Sequence, residues 1–208
     1  MLKASETAQM QPIGELNTGG GTETAMKKAY PYPAEFVAFL AEYHGTRDYF
    51  ECHEIMEEFW KREREKGGRH VGCWLVLTRL SVVQYHARRG NGRGAFKLLS
   101  KANAEIDGVL MSEIGLDGER LTAMMRERLA AWGQPEGVRY DDFNLPIREP
   151  ALREAARRRS AELGAAWQAD GMAAGEDVVH RHATRDRTEV EEARAASAQR
   201  KALDRRQA

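Results

Sequence analysis

The segment from residue 70 to residue 89 constrains the fold most, because it is apolar on nearly every side. A surface helix carries one apolar stripe, whereas a helix that is apolar all round must be covered by neighbouring elements. The sequence therefore predicts a helix here that lies at the centre of a bundle. Its apolar members are Val71, Cys73, Trp74, Leu75, Val76, Leu77, Leu80, Val82, Val83 and Tyr85.

A short turn at residues 66–69, which includes Gly67 and Gly68, precedes this predicted central helix. Short connections make consecutive helices antiparallel neighbours. The predicted fold class is therefore all-α: a small multihelical bundle with a central antiparallel helix hairpin and a helical C-terminal extension.

The other arm of the hairpin is predicted over residues 48–60, a run without glycine or proline. Asp48 is the predicted N-cap, and Glu51 stands in the capping-box position three residues later. One apolar stripe runs along the arm at helical spacing, through Tyr49, Cys52, Ile55 or Met56, and Phe59. A second stripe runs beside it, through Phe50, His53, Glu57 and Trp60. The histidine and the carboxylate lie between two aromatics, so we expect them at the margin of the core or inside it.

The rest of the chain divides by composition into four predicted regions. Residues 1–30 contain three consecutive glycines and no hydrophobic period, and are predicted to be a disordered leader. Residues 31–132 are predicted to form the helical bundle. Residues 133–170 are predicted to form a strap over the bundle and an extra helix. Residues 171–208 carry many charges and no aromatic residue, and are predicted to be a charged tail, either disordered or a lone helix.

Four more helices are predicted outside the hairpin. They span residues 31–45, from the proline-containing start to Gly45, residues 91–110, residues 118–132 and residues 151–168. Asn91 is the predicted N-cap of the second of these.

Composition excludes several classes of protein. The net charge is zero, so no overall field draws the chain to nucleic acid or to a membrane. Two cysteines are too few for a disulfide framework or a thiolate zinc site. The N-terminus has no apolar signal-peptide region, and the apolar run at 71–83 is shorter than a membrane span. We expect a reduced, soluble, cytoplasmic protein.

Two sequence motifs resemble a known family, the one named domain of unknown function 309. Its pattern is a His-Glu-x-x-Glu-x-x-Trp-like helix, an apolar helix that ends in His, and then Arg-Gly-Asn-x-x-Gly-Ala. The resemblance covers residues 45–110 and implies a small all-helical bundle without an established activity. Arg79 departs from the pattern, which has glutamine or another small polar residue there. The matching residues are His53, Glu54, Glu57, Trp60, His86, Gly90, Asn91, Gly94 and Ala95.

The preferred interpretation of the polar residues in the hairpin is a buried structural network. Folding about Gly67 and Gly68 places Arg79 level with Glu57, and an arginine in an apolar helix needs a carboxylate partner. The predicted cluster comprises Glu51, His53, Glu54, Glu57, Arg79, Gln84 and His86.

A metal site is the first alternative. His53 and Glu57 are separated by one helical turn and can reach the same ion. In this alternative the protein is a metal-dependent hydrolase, with Glu54 as general base and His86 as a third ligand. The pattern lacks the second histidine of His-Glu-x-x-His, so the preferred expectation is that no cofactor binds and that the divalent metal ion belongs to the alternative.

A phosphate or RNA site is the second alternative. The turn at residues 88–94 precedes a helix whose first amides are available to an anion. Zero net charge argues against nucleic acid as a partner. The candidate residues are Arg88, Arg89, Asn91, Arg93 and Gly94.

Taken together, these observations favour a non-enzymatic helical module over both alternatives. Its expected partner is an unidentified protein or a second copy of the chain. Cys52 lies on the apolar stripe and is expected to be a packed thiol and not a nucleophile.

Overall fold

The structure is a computed structural model that describes residues 32–180. The predicted leader at 1–30 and residues 181–208 of the predicted tail lie outside the described residues. Within 32–180 the protein is all-α, as predicted, and its sole β contact there is an isolated antiparallel bridge between Leu116 and Ile147. The helices are α1 (Ala34–Ala41), α2 (Tyr49–Glu65), α3 (Val71–Arg88), α4 (Gly92–Glu105), α5 (Gly108–Glu113), α6 (Gly118–Trp132), α7 (Pro150–Glu162) and α8 (Glu176–Val179).

The predicted antiparallel hairpin, α2 and α3, is confirmed as the centre of the bundle. Helix α3 packs against α2 on one side and against α4 on the other. Its Trp74 is 1% exposed and meets the rings of Phe36 and Phe59 edge-on, with centroids 5.2 and 5.0 Å away. Burying three aromatic side chains together contributes several kcal/mol, on the order of 1.5–3 kcal/mol for each.

The start of α2 follows the predicted capping. The Asp48 side chain accepts a hydrogen bond of 3.0 Å from the Glu51 backbone amide. The preceding connection is more unusual, because α1 continues into a π-helical turn, Glu42–Thr46. The C-cap of that turn is Arg47, whose φ of 59° lies in the left-handed region. The helical stretch therefore ends one residue beyond the predicted stop at Gly45.

The helix predicted over residues 91–110 is interrupted, which corrects the sequence interpretation. Helix α4 begins after Asn91, as predicted, but ends at Glu105, and Ile106 is extended. The Asp107 carboxylate accepts hydrogen bonds from the amides of Val109 and Leu110 and so caps a separate helix, α5. The preference of Asp107 to cap a new helix therefore outweighs the apolar periodicity that predicted one continuous helix.

The segment after α6 crosses the bundle in an extended form. Helix α6 has the predicted bounds, and Phe143, Leu145 and Ile147 are buried in the segment that follows it. Below, "the strap" means residues 138–147 of this segment. Helix α7 packs on α1 but ends at Glu162, six residues before the predicted end. The first residues of the predicted tail form a 3₁₀ turn, Gly171–Ala173, and the short helix α8.

None of the helices within residues 32–180 combines the length and the apolar character needed to cross a membrane.

Candidate functional site

The predicted ion pair between Arg79 and Glu57 does not form, so this part of the predicted buried network is wrong. Arg79 is hydrogen-bonded to Glu105 on α4. Glu57 is bound to Lys61 of its own helix, with a nitrogen–oxygen distance of 3.1 Å. Both pairs are partly exposed to solvent, and such pairs contribute about 0–1 kcal/mol to stability.

Arg79 does not meet Glu57 because of the way α3 is rotated about its own axis. The turn at 66–69 fixes which residues of the two arms lie at the same level, but not which way each side chain points. Leu75, Arg79, Val82 and His86 recur at helical spacing and are all only partly buried, so they form the outer stripe of α3. Arg79 points along this stripe towards α4.

Two more predicted network members, Gln84 and His86, also have partners outside the predicted network. Gln84 is 1% exposed, and its amide donates to the Asp141 carbonyl of the strap at 3.2 Å, not to Glu51. The Nδ1 atom of His86 lies 3.1 Å from the side-chain amide nitrogen of Asn91. Partial burial and the neighbouring Arg89 lower the pKa of His86.

Three of the predicted residues do meet, at the outer side of α2. His53, Glu54 and Glu57 each offer a ligand atom, and the three atoms lie within 4.8 Å of one another. His53 Nδ1 is 3.0 Å from Glu54 Oε1, and the side chains of these two residues are 28% and 40% exposed. His86 is not part of this group. The trio therefore comes from one helix and is accessible to solvent.

Next to the trio lies a groove of about 330 Å³, which we call the acidic groove. Four of its lining residues are glutamates, and Ile55 is partly buried against the core. Aromatic side chains border the same side of the hairpin: Phe50 contacts Tyr85 at 6.5 Å between ring centroids, and the Arg64 guanidinium lies 4.7 Å from the Trp60 ring. The acidic groove is lined by Glu51, Glu54, Ile55, Glu57, Glu58 and Lys61.

At the 88–94 turn, most of the predicted phosphate ligands have partners within the chain. Arg88 turns inwards, donates to the Arg47 carbonyl at 2.9 Å and lies over the Tyr49 ring. Arg89 donates to the Tyr85 hydroxyl.

The start of α4 is also poorly accessible to an anion. The Asn91 side chain accepts from the Gly94 amide at 3.0 Å, so that amide is not free for an anion. The Pro135 carbonyl lies so close to Gly92 that a Cβ there would be 2.2 Å from it. Arg93 is exposed beside this turn.

A buried polar network around Arg47 was missed by the sequence interpretation. Arg47 is 1% exposed and donates to the carbonyls of Tyr43 and Ala169 and to the Asn144 side chain, at 3.0, 2.8 and 2.9 Å. Asp142 lies 3.5 Å away, close enough to pair with its charge. The guanidinium thus joins the π-helical turn, the strap and the segment after α7.

The same network includes aromatic groups. The hydroxyls of Tyr49 and Tyr140 are 3.1 Å apart, and Tyr140 donates to Asp142 at 2.7 Å. His44 is fully buried and stacks on Trp167, with ring centroids 4.7 Å apart. Burial and the nearby Arg47 hold the pKa of His44 at about 3, so the ring is neutral near neutral pH.

Neither cysteine has the environment of a nucleophile. Cys52 is fully buried, and burial raises the pKa of its thiol well above the ordinary value. Burial also raises the pKa of Cys73 to about 12. A reactive cysteine needs a lowered pKa, so both side chains act as packed apolar groups.

Comparison with known proteins identifies relatives of this hairpin. A family model described as "Domain of unknown function (DUF309)" matches residues 36–98. The uncharacterized protein YpuF of Bacillus subtilis (strain 168) is 34% identical over 162 residues, which cover 76% of this chain and 90% of the relative. No solved structure matches the chain at a significant level. The match to the family model, and a relative that aligns over nearly its whole length, together show that the chain belongs to the DUF309 family.

Proposed function

We propose that the protein is a non-enzymatic helical module that binds a basic segment of a partner protein in the acidic groove. The observation that supports this most is the grouping of four glutamates around partly buried Ile55 on one face of α2. A patch with an apolar centre and like charges around it is typical of helix-in-groove recognition.

The charge of the groove favours a partner rich in lysine or arginine. Glu57 is paired with Lys61, and Glu54 is bonded to His53. Within residues 32–180, Glu51 and Glu58 form no salt bridge, so their charges are available to a partner. Complementary charges guide such an encounter and select against acidic partners.

The chemistry of the site supports binding over catalysis. The cysteines are buried and their pKa values raised, and two carboxylates of the acidic groove, Glu54 and Glu57, already pair within α2. As part of the proposal we place the protein in the cytoplasm, where the two free thiols would stay reduced.

The experiment measures binding of a synthetic amphipathic peptide of about 15 residues with lysines on one face and leucines on the other. The test variant is Glu51→Gln, Glu54→Gln and Glu58→Gln combined. We expect its affinity at about 0.15 M salt, where distant charges are screened, to fall about tenfold or more, since three charge contacts of about 0.5–1 kcal/mol each are lost. Fluorescence anisotropy of the labelled peptide gives the two dissociation constants.

The matched control removes three exposed glutamates elsewhere, at Glu119, Glu127 and Glu154. It should bind within about twofold of the unchanged protein, because net charge alone has little effect at a distance. Equal weakening in both variants would mean nonspecific attraction, and no binding at all would also contradict the proposal. If the protein forms a dimer and the groove substitutions abolish it, the segment bound in the acidic groove belongs to a second copy of the chain and not to a foreign protein.

The second candidate function is binding of a divalent metal, and the observation that favours it is the His53, Glu54 and Glu57 trio. An ion there would have to displace the His53–Glu54 hydrogen bond and the Glu57–Lys61 pair. All three ligands come from one helix, so no second element within the described residues 32–180 closes the coordination sphere.

We therefore expect protein purified without added ions to carry no stoichiometric zinc, manganese or iron. A chelator should leave the melting temperature unchanged, because a tightly bound ion would be coupled to folding. Elemental analysis and thermal melts with and without chelator provide the measurements. One equivalent of metal that disappears in a His53→Ala variant would reverse the order of the two candidates.

A further inference from the structure

A second cavity lies on another part of the molecule, between the strap, the first turn of α6 and α7. Its volume is about 500 Å³, within the range of small-molecule sites. Arg120, Arg148 and Arg153 line it together with Trp167 and Gln168. We call it the strap pocket. It is separate from the acidic groove and from the residues that carry the family resemblance.

The two carboxylates of the strap pocket are already used inside the chain. Asp117 accepts from the Arg120 backbone amide at 3.0 Å, as the N-cap of α6. Asp142 accepts from the Tyr140 hydroxyl and the Gly171 amide, and the buried guanidinium of Arg47 is 3.5 Å from it. These acids therefore stabilise the fold, and within residues 32–180 neither forms a salt bridge with Arg120, Arg148 or Arg153.

The arginines of the pocket retain donors for a ligand. Neither Arg120 nor Arg148 forms a salt bridge within residues 32–180, and both are exposed. Arg153 donates to the Ile147 carbonyl and is thereby held beside the strap. The N-terminal end of α6 adds partial positive charge at the same place. The lining of the strap pocket thus carries three guanidinium groups against two carboxylates, an excess of one positive charge.

The Trp167 side of the pocket is held in a fixed position by the buried network. Trp167 stacks on the fully buried His44, with the ring planes 21° apart. Its neighbour Gln168 has a φ of 56°, in the left-handed region, and its backbone amide donates to the His44 carbonyl at 2.7 Å. A side chain other than glycine adopts this conformation only where the surrounding structure enforces it, and such positions concentrate at ligand sites.

We propose that the strap pocket binds a small anionic ligand through its phosphate or carboxylate groups. Guanidinium groups bind both by paired hydrogen bonds, and Trp167 supplies an apolar face for the body of the ligand. Asn144, which also lines the pocket and accepts from Arg47, links the ligand site to the buried network.

Titration calorimetry with pyrophosphate and, separately, with citrate tests this proposal at about 0.15 M salt, where nonspecific attraction is largely screened. The test variant carries Arg120→Gln and Arg148→Gln. The control carries Arg126→Gln and Arg157→Gln, two exposed arginines outside the strap pocket. Arg153 is left unchanged because of its bond to the strap.

We expect at least one of the two anions to bind, with an affinity about tenfold or more weaker in the test variant and within about twofold in the control. Tighter binding of pyrophosphate would assign a phosphate ligand, and tighter binding of citrate a carboxylate ligand. Absence of binding by both anions would overturn the proposal, and so would equal weakening in the two variants. Circular dichroism melts of both variants establish that the comparison is between folded proteins.

Discussion

Replacing Arg47 by methionine is expected to lower the free energy of unfolding by about 3–5 kcal/mol. The guanidinium is 1% exposed and donates to two carbonyls and the Asn144 side chain. Methionine fills a similar volume but leaves these acceptors buried without a donor, and it removes the positive charge beside Asp142. Denaturant unfolding followed by circular dichroism measures the loss.

The control for this substitution is Arg126→Met, an exposed arginine of α6, which should change stability by less than about 0.5 kcal/mol. Combining Arg47→Met with Asp142→Asn should cost less than the sum of the two single changes, because the two charges are partners. A loss below about 1 kcal/mol for Arg47→Met would mean that the network does not hold the strap to the bundle.

Substituting Gly118 by alanine is expected to cost about 3 kcal/mol, the upper part of the range for overpacking. The backbones of α5 and α6 approach each other so closely that a Cβ at Gly118 would lie 1.8 Å from the Gly108 carbonyl oxygen. Two backbone segments cannot separate as easily as a flexible side chain can turn aside. Thermal and denaturant melts of the variant provide the measurement.

The matched substitution is Gly72→Ala near the start of α3, where an added Cβ meets no atom within 4 Å. There alanine should stabilise the protein by about 0.5–1 kcal/mol, since glycine is the poorer helix former. If the two glycine variants change stability by similar amounts, the close packing of α5 on α6 is not as described.

The features that were predictable from sequence depend on neighbours along the chain. The capping of α2 by Asp48 and the bounds of α6 follow from residues within a few positions of each helix end. The central position of α3 follows from its apolar residues on all sides, because such a helix has no face for water. Each of these patterns lies within one helix or beside its ends, so contacts with distant parts of the chain do not alter what it predicts.

The features that were not predictable depend on contacts between distant residues. The rotation of α3 decides that Arg79 meets Glu105 and not Glu57, and neither the turn nor the periodicity of α3 contains that information. The Arg47 network joins residues 97 and 122 positions apart. Its members look like ordinary residues of a turn and a strap until the chain is folded. The spacing predicted that His53 and Glu57 share a helix face at the margin of the core or inside it. The folded chain adds that this face is partly exposed and that Glu54 joins the two residues there.

His53, Glu54 and Glu57, three of the residues that carry the family resemblance, form part of an outer surface and not of a buried network. The test is the free energy of unfolding of the combined variant His53→Gln, Glu54→Gln and Glu57→Gln. A surface role is expected to leave the value within about 1 kcal/mol of that of the unchanged protein, since only exposed pairs are lost. A loss of about 3–5 kcal/mol would show that these groups are buried partners and would contradict the claim.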